Sequence, residues 1–489
     1  MARKILTTSS GAPVVDDQNS VTAGPRGPLL IQDWQLIEKL AHFNRERIPE
    51  RIVHAKGSGA HGTFTLTRDL SDYTIADHLN GKGKQTEVFA RFSTVGGEMG
   101  SADAERDPRG FAVKLYTRQG NHDIVGNNTP VFFLRDPSKF PDFIHTQKRN
   151  PVTNCKDPEA MWDFWSLNPQ SIHQVTILFS ERGVPATYRH MNGYSSHTYS
   201  MWNKKGERFW VKWHFKTRQG IQCLTQAESR RVCGVDPDHA QRDLVEAIES
   251  GNHPRWTVNL QIMAEVEAES YHIHPFDLTK VWPHGDYPLL DIGVLELNRN
   301  VENYFAETEQ AAFSPSNLVP GIGVSPDKML QARLFAYQDA HRYRIGANYN
   351  DLPVNYPRSA QPANYQRGGV MAGTRCPFGN GNNLSGSAEV NYGPNSNDGP
   401  VEHSAFKEPP MPFAAGVIDR HDHRPEADDY TQAGALFRLM NADQKQQLAD
   451  NIAGSLAGTS KPVRERMLSQ FDQCDPEYGR MVKEALAIR

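Results

Sequence analysis

Three residues of the sequence could together bind a metal ion through a tyrosine. Arg333, Tyr337 and His341 follow one another at four-residue spacing, which on a helix places all three along one face. A neighbouring guanidinium favours the ionised form of a phenol, and a phenolate is a hard anionic ligand that suits ferric iron. The same spacing occurs in arginine–tyrosine stacking pairs on protein surfaces, so spacing alone leaves both interpretations open.

A single histidine stands in a setting that suits proton transfer beside a flat ligand. His54 follows Val53 and precedes a run of small residues at 57–59. Small residues let a flat ligand approach the backbone closely, and an imidazole exchanges protons near neutral pH. From the residues alone, the alternative is a histidine whose hydrogen bonds are satisfied within a core.

Two further segments place polar groups at the ends of predicted strands. Asn127 lies in a turn that leads into an aromatic strand at Phe132 and Phe133. Ser93 ends a strand that also contains Arg91. Each segment has an ordinary structural explanation, namely a turn before a strand and a hydroxyl bonded to nearby backbone. Neither segment indicates a function by itself.

The helix that must carry Tyr337 is predicted to run from Ser325 to Gly346. Ser325 suits the N-cap, Pro326 the first helical position, and Asp327 the positive N-terminus. Gly346 suits the end of the helix.

The residues before this helix are predicted to form a large antiparallel sheet or barrel. Between about residues 50 and 270 the dominant hydrophobic period is two, as in the segments that begin at Phe111, Phe209 and Val258. Such alternation is typical of half-buried strands. His272 and His274 would alternate on one of these strands.

The two ends of the chain differ in character from the strands. Residues 1–30 are rich in Ser, Thr, Gly and Asp and predict an extended arm, followed by a helix near Asp33 to Phe43. From about residue 429 the period becomes helical. A capping box is predicted at Asn441 and Gln444, and apolar residues then recur every four positions: Leu448, Ile452 and Leu456.

A long segment between about residues 275 and 420 shows only weak periodicity. Residues 377–400 are mostly Gly, Asn, Ser and Pro. So long a segment without secondary structure is typical of a wrapping or interface-forming connection.

Composition excludes several classes of function. The 489 residues carry a formal net charge of −4, so the chain lacks the basic field of a general nucleic-acid binder. No apolar run approaches the roughly 18 residues of a membrane helix. No secretory signal is visible at the N-terminus, so we expect a cytoplasmic protein. The cysteines form no Cys-x-x-Cys pair, which is typical of reduced thiols: Cys155, Cys223, Cys233, Cys376 and Cys474.

Taken together, these segments resemble those of the monofunctional haem catalases. Residues 43–59 resemble the active-site signature of the family, and residues 333–341 resemble its haem-ligand signature, with every expected residue type present. Similarity extends along nearly the whole chain, including the segments 107–114, 143–151, 189–197 and 275–284. The length resembles the small-subunit, NADPH-binding type, which lacks a flavodoxin-like C-terminal domain.

The resemblance implies an α+β fold built on an antiparallel eight-stranded β-barrel. Its implied parts are an N-terminal arm and helix at 1–50, the barrel with the distal haem pocket at 51–298, a wrapping segment with the proximal haem-ligand helix at 299–428, and a C-terminal helical region at 429–489. A homotetramer with arms threaded between subunits is also implied. The implied activity is haem-dependent disproportionation of hydrogen peroxide to water and dioxygen through a ferryl intermediate, which protects the cell from peroxide.

The resemblance assigns catalytic roles on the two sides of a ferric haem b. On the distal side, His54 is the acid and base, Ser93 orients its ring, and Asn127 donates a hydrogen bond to peroxide. On the proximal side, Tyr337 is the axial ligand of the iron, the ligand known for this family, and Arg333 holds it as a phenolate.

Further residues are assigned to haem binding by the same resemblance. Three arginines would pair with the haem propionates: Arg51, Arg91 and Arg344. Four apolar residues would line the distal pocket and its channel: Val53, Phe132, Phe140 and Phe143. His197 and Asp327 would join Arg333 in a proximal hydrogen-bond chain, and His341 belongs to the same cofactor-binding set.

Some members of the family also bind NADPH, and the resemblance allows it here as a second cofactor. Eight positions match that site: His173, Ser180, Arg182, Asn192, Lys216, Val281, Trp282 and His284. Ile177 stands where some NADPH-binding members have phenylalanine, so one stacking contact departs from the pattern. The chain has no G-x-G-x-x-G fingerprint, and the family's site, which is not a Rossmann crevice, requires none.

Three other functions are compatible with parts of the sequence. A haem protein of the same barrel could isomerise or reduce organic hydroperoxides, although the full-length arms and helices favour a catalase. A non-catalytic carrier of haem or NADPH would keep the binding residues without turnover. A zinc hydrolase could use the pairs His272–His274 and His421–His423, but neither pair has a third ligand at a defined spacing.

Overall fold

The computed structural model describes residues 3–366, 369–370, 390–412 and 416–488. Cys376 and residues 377–389 of the predicted wrapping connection lie outside these ranges. The chain divides into two units, residues 1–50 and residues 51–489.

The first unit is an extended arm with one helix. Helix α1 spans Trp34–Phe43, and its N-cap is Asp33, whose carboxylate accepts a hydrogen bond from the Leu36 amide at 3.1 Å. The same carboxylate accepts from the Val21 amide at 2.8 Å, which ties the extended segment to the start of the helix. The helix predicted near Asp33 to Phe43 is confirmed.

The second unit contains a closed antiparallel β-barrel. Its strands are β1 (Gly57–Leu66), β2 (Gln85–Ser93), β3 (Gly110–Thr117), β4 (Gly120–Asn127), β5 (Gly193–Tyr194), β6 (Tyr199–Trp202), β7 (Arg208–Thr217), β8 (Arg255–Ala264), β9 (Leu290–Asn300) and β10 (Ile322–Gly323). Eight of them follow the order β7-β5-β4-β3-β2-β1-β9-β8, and β8 pairs again with β7. Strands β6 and β10 extend the sheet beside β7. The predicted eight-stranded barrel is confirmed.

Strand β3 is buried on both faces, so the prediction of half-buried strands is wrong here. One face of β3 contributes Phe111 to the core inside the barrel. The other face carries Lys114 and Tyr116, which are also buried. A later segment of the chain covers this outer face, and Tyr116 Oη donates to Val354 O at 2.6 Å. On β3, the alternating hydrophobic pattern therefore distinguishes two faces that are both buried, and neither face is exposed to solvent.

Several helices lie between about residues 50 and 270, the region in which the alternating hydrophobic pattern predicts strands. They are α2 (Phe140–Gln147), α3 (Pro158–Leu167), α4 (Ile172–Phe179), α5 (Gln226–Val235) and α6 (His239–Glu249). His272 and His274 also lie outside any strand, in an irregular segment after β8. Within the described residues, no helix combines the length and the apolar character that a membrane span requires.

Helix α7, the predicted haem-ligand helix, spans Lys328–Arg344. Asp327 caps it by accepting hydrogen bonds from two amides of the first turn, at 2.9 and 3.1 Å. The predicted cap at Ser325 is wrong, because the helix begins two residues later: the Ser325 hydroxyl accepts from the Asp327 amide at 3.3 Å and donates to Thr198 O at 2.5 Å. Gly346, with a φ of 129°, follows the end of the helix as predicted.

Four helices form the C-terminal region and share a second apolar core with α3 and α4. They are α8 (Thr431–Leu439), α9 (Ala442–Leu456), α10 (Lys461–Cys474) and α11 (Pro476–Ala487). The capping box of Asn441 and Gln444 is confirmed, with hydrogen bonds of 2.9 and 3.1 Å. The predicted apolar stripe is also confirmed, since its three leucine and isoleucine residues are buried in this core.

Candidate active site

Strand register brings the predicted distal residues to one edge of the barrel. Gly57 of β1 lies opposite Ser93 of β2, Ser93 lies opposite Gly110 of β3, and Gly110 lies opposite Asn127 of β4. Residues paired in this way are about 5 Å apart, so the four form a row across neighbouring strands. His54 precedes Gly57 by three residues and therefore enters at the same edge.

His54 adopts a strained backbone conformation beside Ser93. Its φ of 67° lies in the left-handed region that side chains other than glycine rarely occupy, and such strain is concentrated at functional sites. His54 Nδ1 lies 2.9 Å from Ser93 Oγ, and Arg91 Nη1 donates to His54 O at 2.8 Å. Two contacts from strand β2, one to the ring and one to the backbone carbonyl, therefore hold His54 in place.

Gly110 is a site residue that the sequence analysis missed. A Cβ atom at this position would lie 2.3 Å from Ser93 Oγ and 2.6 Å from His54 Nδ1. Any larger residue would therefore displace the histidine from the serine. A glycine at the start of a buried strand, which often marks a close approach of other groups, was the signal available in the sequence.

The His54 side chain is neutral throughout the physiological pH range. Burial, together with the positive charges of Arg91, Arg333 and Arg51, lowers its pKa to about 3. Among the described residues, Nε2 of this ring has no hydrogen-bond partner. A neutral imidazole with one free nitrogen can accept a proton from a ligand.

Arg333 and Tyr337 contact each other directly on helix α7. Arg333 Nη2 donates to Tyr337 Oη at 2.6 Å, and the guanidinium carbon lies 4.8 Å from the ring centroid. The same nitrogen donates to Val125 O of β4 at 2.9 Å, which joins the helix to the barrel. Burial lowers the pKa of Arg333, but Tyr337, Tyr199 and Asp327 raise it above its ordinary value. This permanently charged donor stabilises negative charge on the phenol oxygen.

His197 and Asp327 form a buried pair at the start of α7. His197 Nδ1 lies 2.6 Å from Asp327 Oδ2. Within the described residues, no hydrogen bond joins this pair directly to Arg333. The Asp327 carboxylate acts on Arg333 by charge, since it is among the groups that raise the pKa of Arg333. The predicted proximal chain is therefore partly assembled by hydrogen bonds and partly by charge.

His341 anchors the same helix. Its Nε2 lies 2.7 Å from Phe313 O, and its ring centroid is 6.4 Å from that of Tyr337. Burial lowers the pKa of His341 to about 4, so the ring is neutral and donates a hydrogen bond to this carbonyl. A direct contact between His341 and a cofactor stays a prediction.

Three buried arginines form a cluster whose chemistry fits an anionic ligand. Arg51 Nη1 and Arg344 Nη2 lie 3.7 and 2.8 Å from the same Glu309 oxygen. Burial lowers the pKa of Arg51 well below its usual value, and the charges of Arg91 and Arg344 lower it further. Among the described residues, Arg51 Nη1 and Arg91 Nε are buried without a hydrogen-bond partner. The carboxylates of a haem would satisfy such donors, so this donor set fits a haem.

The predicted apolar residues of the distal pocket form one cluster. The ring centroid of Phe132 lies 6.2 Å from that of Phe140 and 6.0 Å from that of Phe143. Val53 packs against the same cluster. A cavity of about 520 Å³ adjoins it, with Phe143 and Asp107 in its wall. Asp107, which the sequence analysis did not single out, is fixed there by hydrogen bonds from two backbone amides.

Four of the eight predicted NADPH residues line a second cavity, of about 290 Å³: Lys216, Val281, Trp282 and His284. Its wall also contains five polar residues that the sequence analysis missed: Tyr194, Ser196, Lys212, His214 and Gln261. Lys216 Nζ and Asn192 Nδ2 each lie 3.2 Å from Tyr194 Oη, so Asn192 adjoins this cavity.

The other three predicted NADPH residues do not line this cavity. His173 Nδ1 lies 3.2 Å from Thr279 O, and the Ser180 hydroxyl donates to Ile177 O at 2.7 Å. Arg182 is half-exposed, with its Nε 3.6 Å from a Glu181 oxygen.

The histidine pairs considered for zinc do not assemble a metal site. Within the described residues, no group of three or more His, Cys, Asp or Glu side chains could hold a metal ion. His274 Nδ1 accepts a hydrogen bond from the Phe276 amide at 3.1 Å, and His423 contacts Lys328.

Comparison with known proteins gives sequence matches over nearly the whole chain. A family model described as "Catalase" matches residues 7–399, and one described as "Catalase-related immune-responsive" matches residues 423–486. The chain is 62% identical over 486 residues to Catalase A of Pseudomonas putida, with 99% of each chain covered. It is 60% identical over 487 residues to a catalase of the Onchocerca volvulus endobacterium, with 99% of this chain and 98% of that protein covered.

Solved structures match the fold to the same extent. A bacterial catalase has a TM-score of 0.90 at 46% identity, with 100% of this chain and 97% of that chain covered. Catalase A from Saccharomyces cerevisiae has a TM-score of 0.89 at 43% identity, with 99% of each chain covered. With the barrel, the paired His54 and Ser93 and the paired Arg333 and Tyr337 already in place, these matches show that the chain belongs to the catalase family.

Proposed function

We propose how this chain carries out the activity of its family, the decomposition of hydrogen peroxide to water and dioxygen. Tyr337 would bind the iron of a haem b, and His54 would exchange protons with peroxide. The observation that carries this proposal is that each of the two residues is hydrogen-bonded to a partner of its own. Nδ1 of the neutral His54 ring lies 2.9 Å from Ser93 Oγ, and the charged Arg333 side chain donates to Tyr337 Oη at 2.6 Å.

The protein groups position the substrate and move its protons. When bound, the haem supplies the electron transfers that no side chain here can perform. His54 accepts a proton from one peroxide oxygen and returns it to the other, so that water can leave. Ser93 keeps the ring in one orientation during both transfers, and the Asn127 amide donates a hydrogen bond to the peroxide. Arg51, Arg91 and Arg344 bind the propionates.

Replacement of His54 by alanine should abolish proton transfer while haem stays bound. We expect a normal haem content by absorption and a rate of oxygen release lower by about 10²- to 10⁴-fold, the usual contribution of a general acid–base residue. An oxygen electrode measures the rate. His253→Ala, at a half-exposed histidine, should match the parent protein. Parent-like oxygen release by His54→Ala would contradict the assignment.

Replacement of Tyr337 by phenylalanine should remove the axial oxygen and keep the ring packing. We expect a shifted Soret band, reduced haem content and loss of oxygen release, because no other side chain on that face of α7 supplies an anionic oxygen. Tyr343→Phe is the matched control, since Tyr343 lies on the same helix and is 71% exposed. An unchanged spectrum and rate in Tyr337→Phe would exclude the ligand role.

We also propose that the 290 Å³ cavity binds NADPH. Its wall contains two lysines and two histidines and no carboxylate, which favours an anionic ligand. Lys212 is fully buried in this wall, and burial lowers its pKa to about 8. A phosphate group near Lys212 and Lys216 would stabilise both ammonium groups.

Equilibrium dialysis of nucleotide-free protein tests NADPH binding directly. We expect about one NADPH per chain for the parent protein, and Lys216→Met should weaken binding by about tenfold or more, which corresponds to one lost charge-assisted hydrogen bond. Lys205→Met, in the exposed turn before β7, should bind like the parent. Absence of binding by the parent would contradict the proposal.

A homotetramer is the third proposal. Helix α1 has no buried residue in the single chain, and Trp34 and Phe43 are 70% and 60% exposed. Large exposed apolar residues on one short helix are typical of a protein–protein contact.

Light scattering of the haem-loaded protein should give about four times the chain mass of 54.9 kDa. Trp34→Ser combined with Phe43→Ser should lower the mass, because the apolar contact is lost. Ile488→Ser, at an exposed residue near the C-terminus, should leave it unchanged. A monomeric parent protein would contradict the proposal.

A further inference from the structure

A pair of opposite charges is fully buried on the outer face of the barrel, away from the residues assigned above. Lys114 of β3 and Asp123 of β4 are direct cross-strand partners. Lys114 Nζ lies 2.8 Å from both carboxylate oxygens of Asp123, and neither side chain is exposed. Burial of two charges carries a large desolvation cost that apolar residues of similar size would avoid. Stability alone therefore does not account for this pair.

The pair holds a particular segment of the chain, residues 313–317. Asp123 Oδ2 accepts hydrogen bonds from the Ser314 amide at 2.9 Å and from Asn317 Nδ2 at 2.8 Å. The Asp123 amide donates in return to Asn317 O at 2.9 Å. Lys114 Nζ lies 5.3 Å from the ring centroid of Phe313. Both ends of the segment are therefore fixed to the barrel by one ion pair.

The same segment holds helix α7 at two residues that follow Tyr337. His341 Nε2 donates to Phe313 O at 2.7 Å, and Gln338 Nε2 donates to Ser316 Oγ at 2.7 Å. These two residues follow Tyr337 by four and by one positions. Tyr337 itself packs against the apolar cluster that contains Phe313. A shift of the segment would therefore be transmitted to the tyrosine.

Strand β4 connects this anchor with the rest of the site. Asp123, Val125 and Asn127 are every second residue of β4, so they share one face of the strand. The strand rises about 3.3 Å per residue. Asp123 holds the segment under α7, Val125 O accepts the hydrogen bond from Arg333, and Asn127 ends the strand at the distal row. One strand thus sets the spacing between the two sides of the site.

We propose that Lys114 and Asp123 are positioning residues for the axial tyrosine. Their ion pair fixes residues 313–317, and this segment fixes the part of α7 that carries Tyr337. The inference rests on the proposed role of Tyr337 as the iron ligand.

Lys114→Met combined with Asp123→Asn removes both charges and keeps the volume of the side chains. In the haem-loaded protein, we expect the resonance Raman bands of the iron-bound phenolate to broaden or split, because Tyr337 occupies more than one position. Turnover should fall by about tenfold in kcat with little change in KM, the effect of a small misplacement of a reacting group. Lys114→Arg, which keeps the ion pair, should restore a single set of bands.

The partly exposed pair of Lys84 and Asp77, joined at 2.7 Å on the same barrel, provides the control. Lys84→Met combined with Asp77→Asn should leave the phenolate bands and kcat unchanged. Parent-like bands and kcat in the Lys114/Asp123 double variant would overturn the positioning role. A parent protein without phenolate bands would instead overturn the ligand role of Tyr337.

Asn317→Ala keeps the proposal testable if the double variant does not fold. This change removes one hydrogen bond to Asp123 and leaves the ion pair buried and intact. We expect the same broadening of the phenolate bands to a smaller extent, while Lys205→Met keeps the parent spectrum. Identical spectra for Asn317→Ala and the parent would overturn the proposal.

Discussion

The hydrogen bond between Arg333 and Tyr337 is the interaction on which the rest of the site depends. It pairs the positive charge of Arg333 with the oxygen of Tyr337, the proposed ligand of the iron, and it lies on a helix outside the barrel. Such a helix has to be held against the strands before its tyrosine can face a cofactor. The bond from Arg333 to Val125 O and the bond from His341 to Phe313 O supply that attachment.

Burial and arginine charge together determine the state of His54. Burial lowers the pKa of His54, and the positive charges of Arg91, Arg333 and Arg51 add to this effect. The ring is therefore neutral and able to accept a proton. Arg333 acts on both residues, since its guanidinium also donates a hydrogen bond to the Tyr337 oxygen.

Local chemistry in this chain could be predicted from the sequence, whereas contacts between distant segments could not. The capping box at Asn441 depends on residues three positions apart, and it is formed as predicted. The cap of α7 was misplaced because Asp327, which caps the helix, is held by His197, a partner 130 positions away in the sequence. The burial of Lys114 was missed for the same reason, since the segment that covers it follows about 200 residues later. Gly110 matters only because a neighbouring strand and the loop before β1 meet it in space.

On the proposed assignment, the arginine cluster would make the cofactor a part of the folded core. Arg51 Nη1 and Arg91 Nε are buried donors without a hydrogen-bond partner among the described residues, and each such donor costs about 1–3 kcal/mol. A ligand that satisfied them would remove this cost and bind only the folded chain, so its binding free energy would add to the free energy of unfolding. An anionic group that the described residues do not provide would thus offset the burial of several like charges around His54.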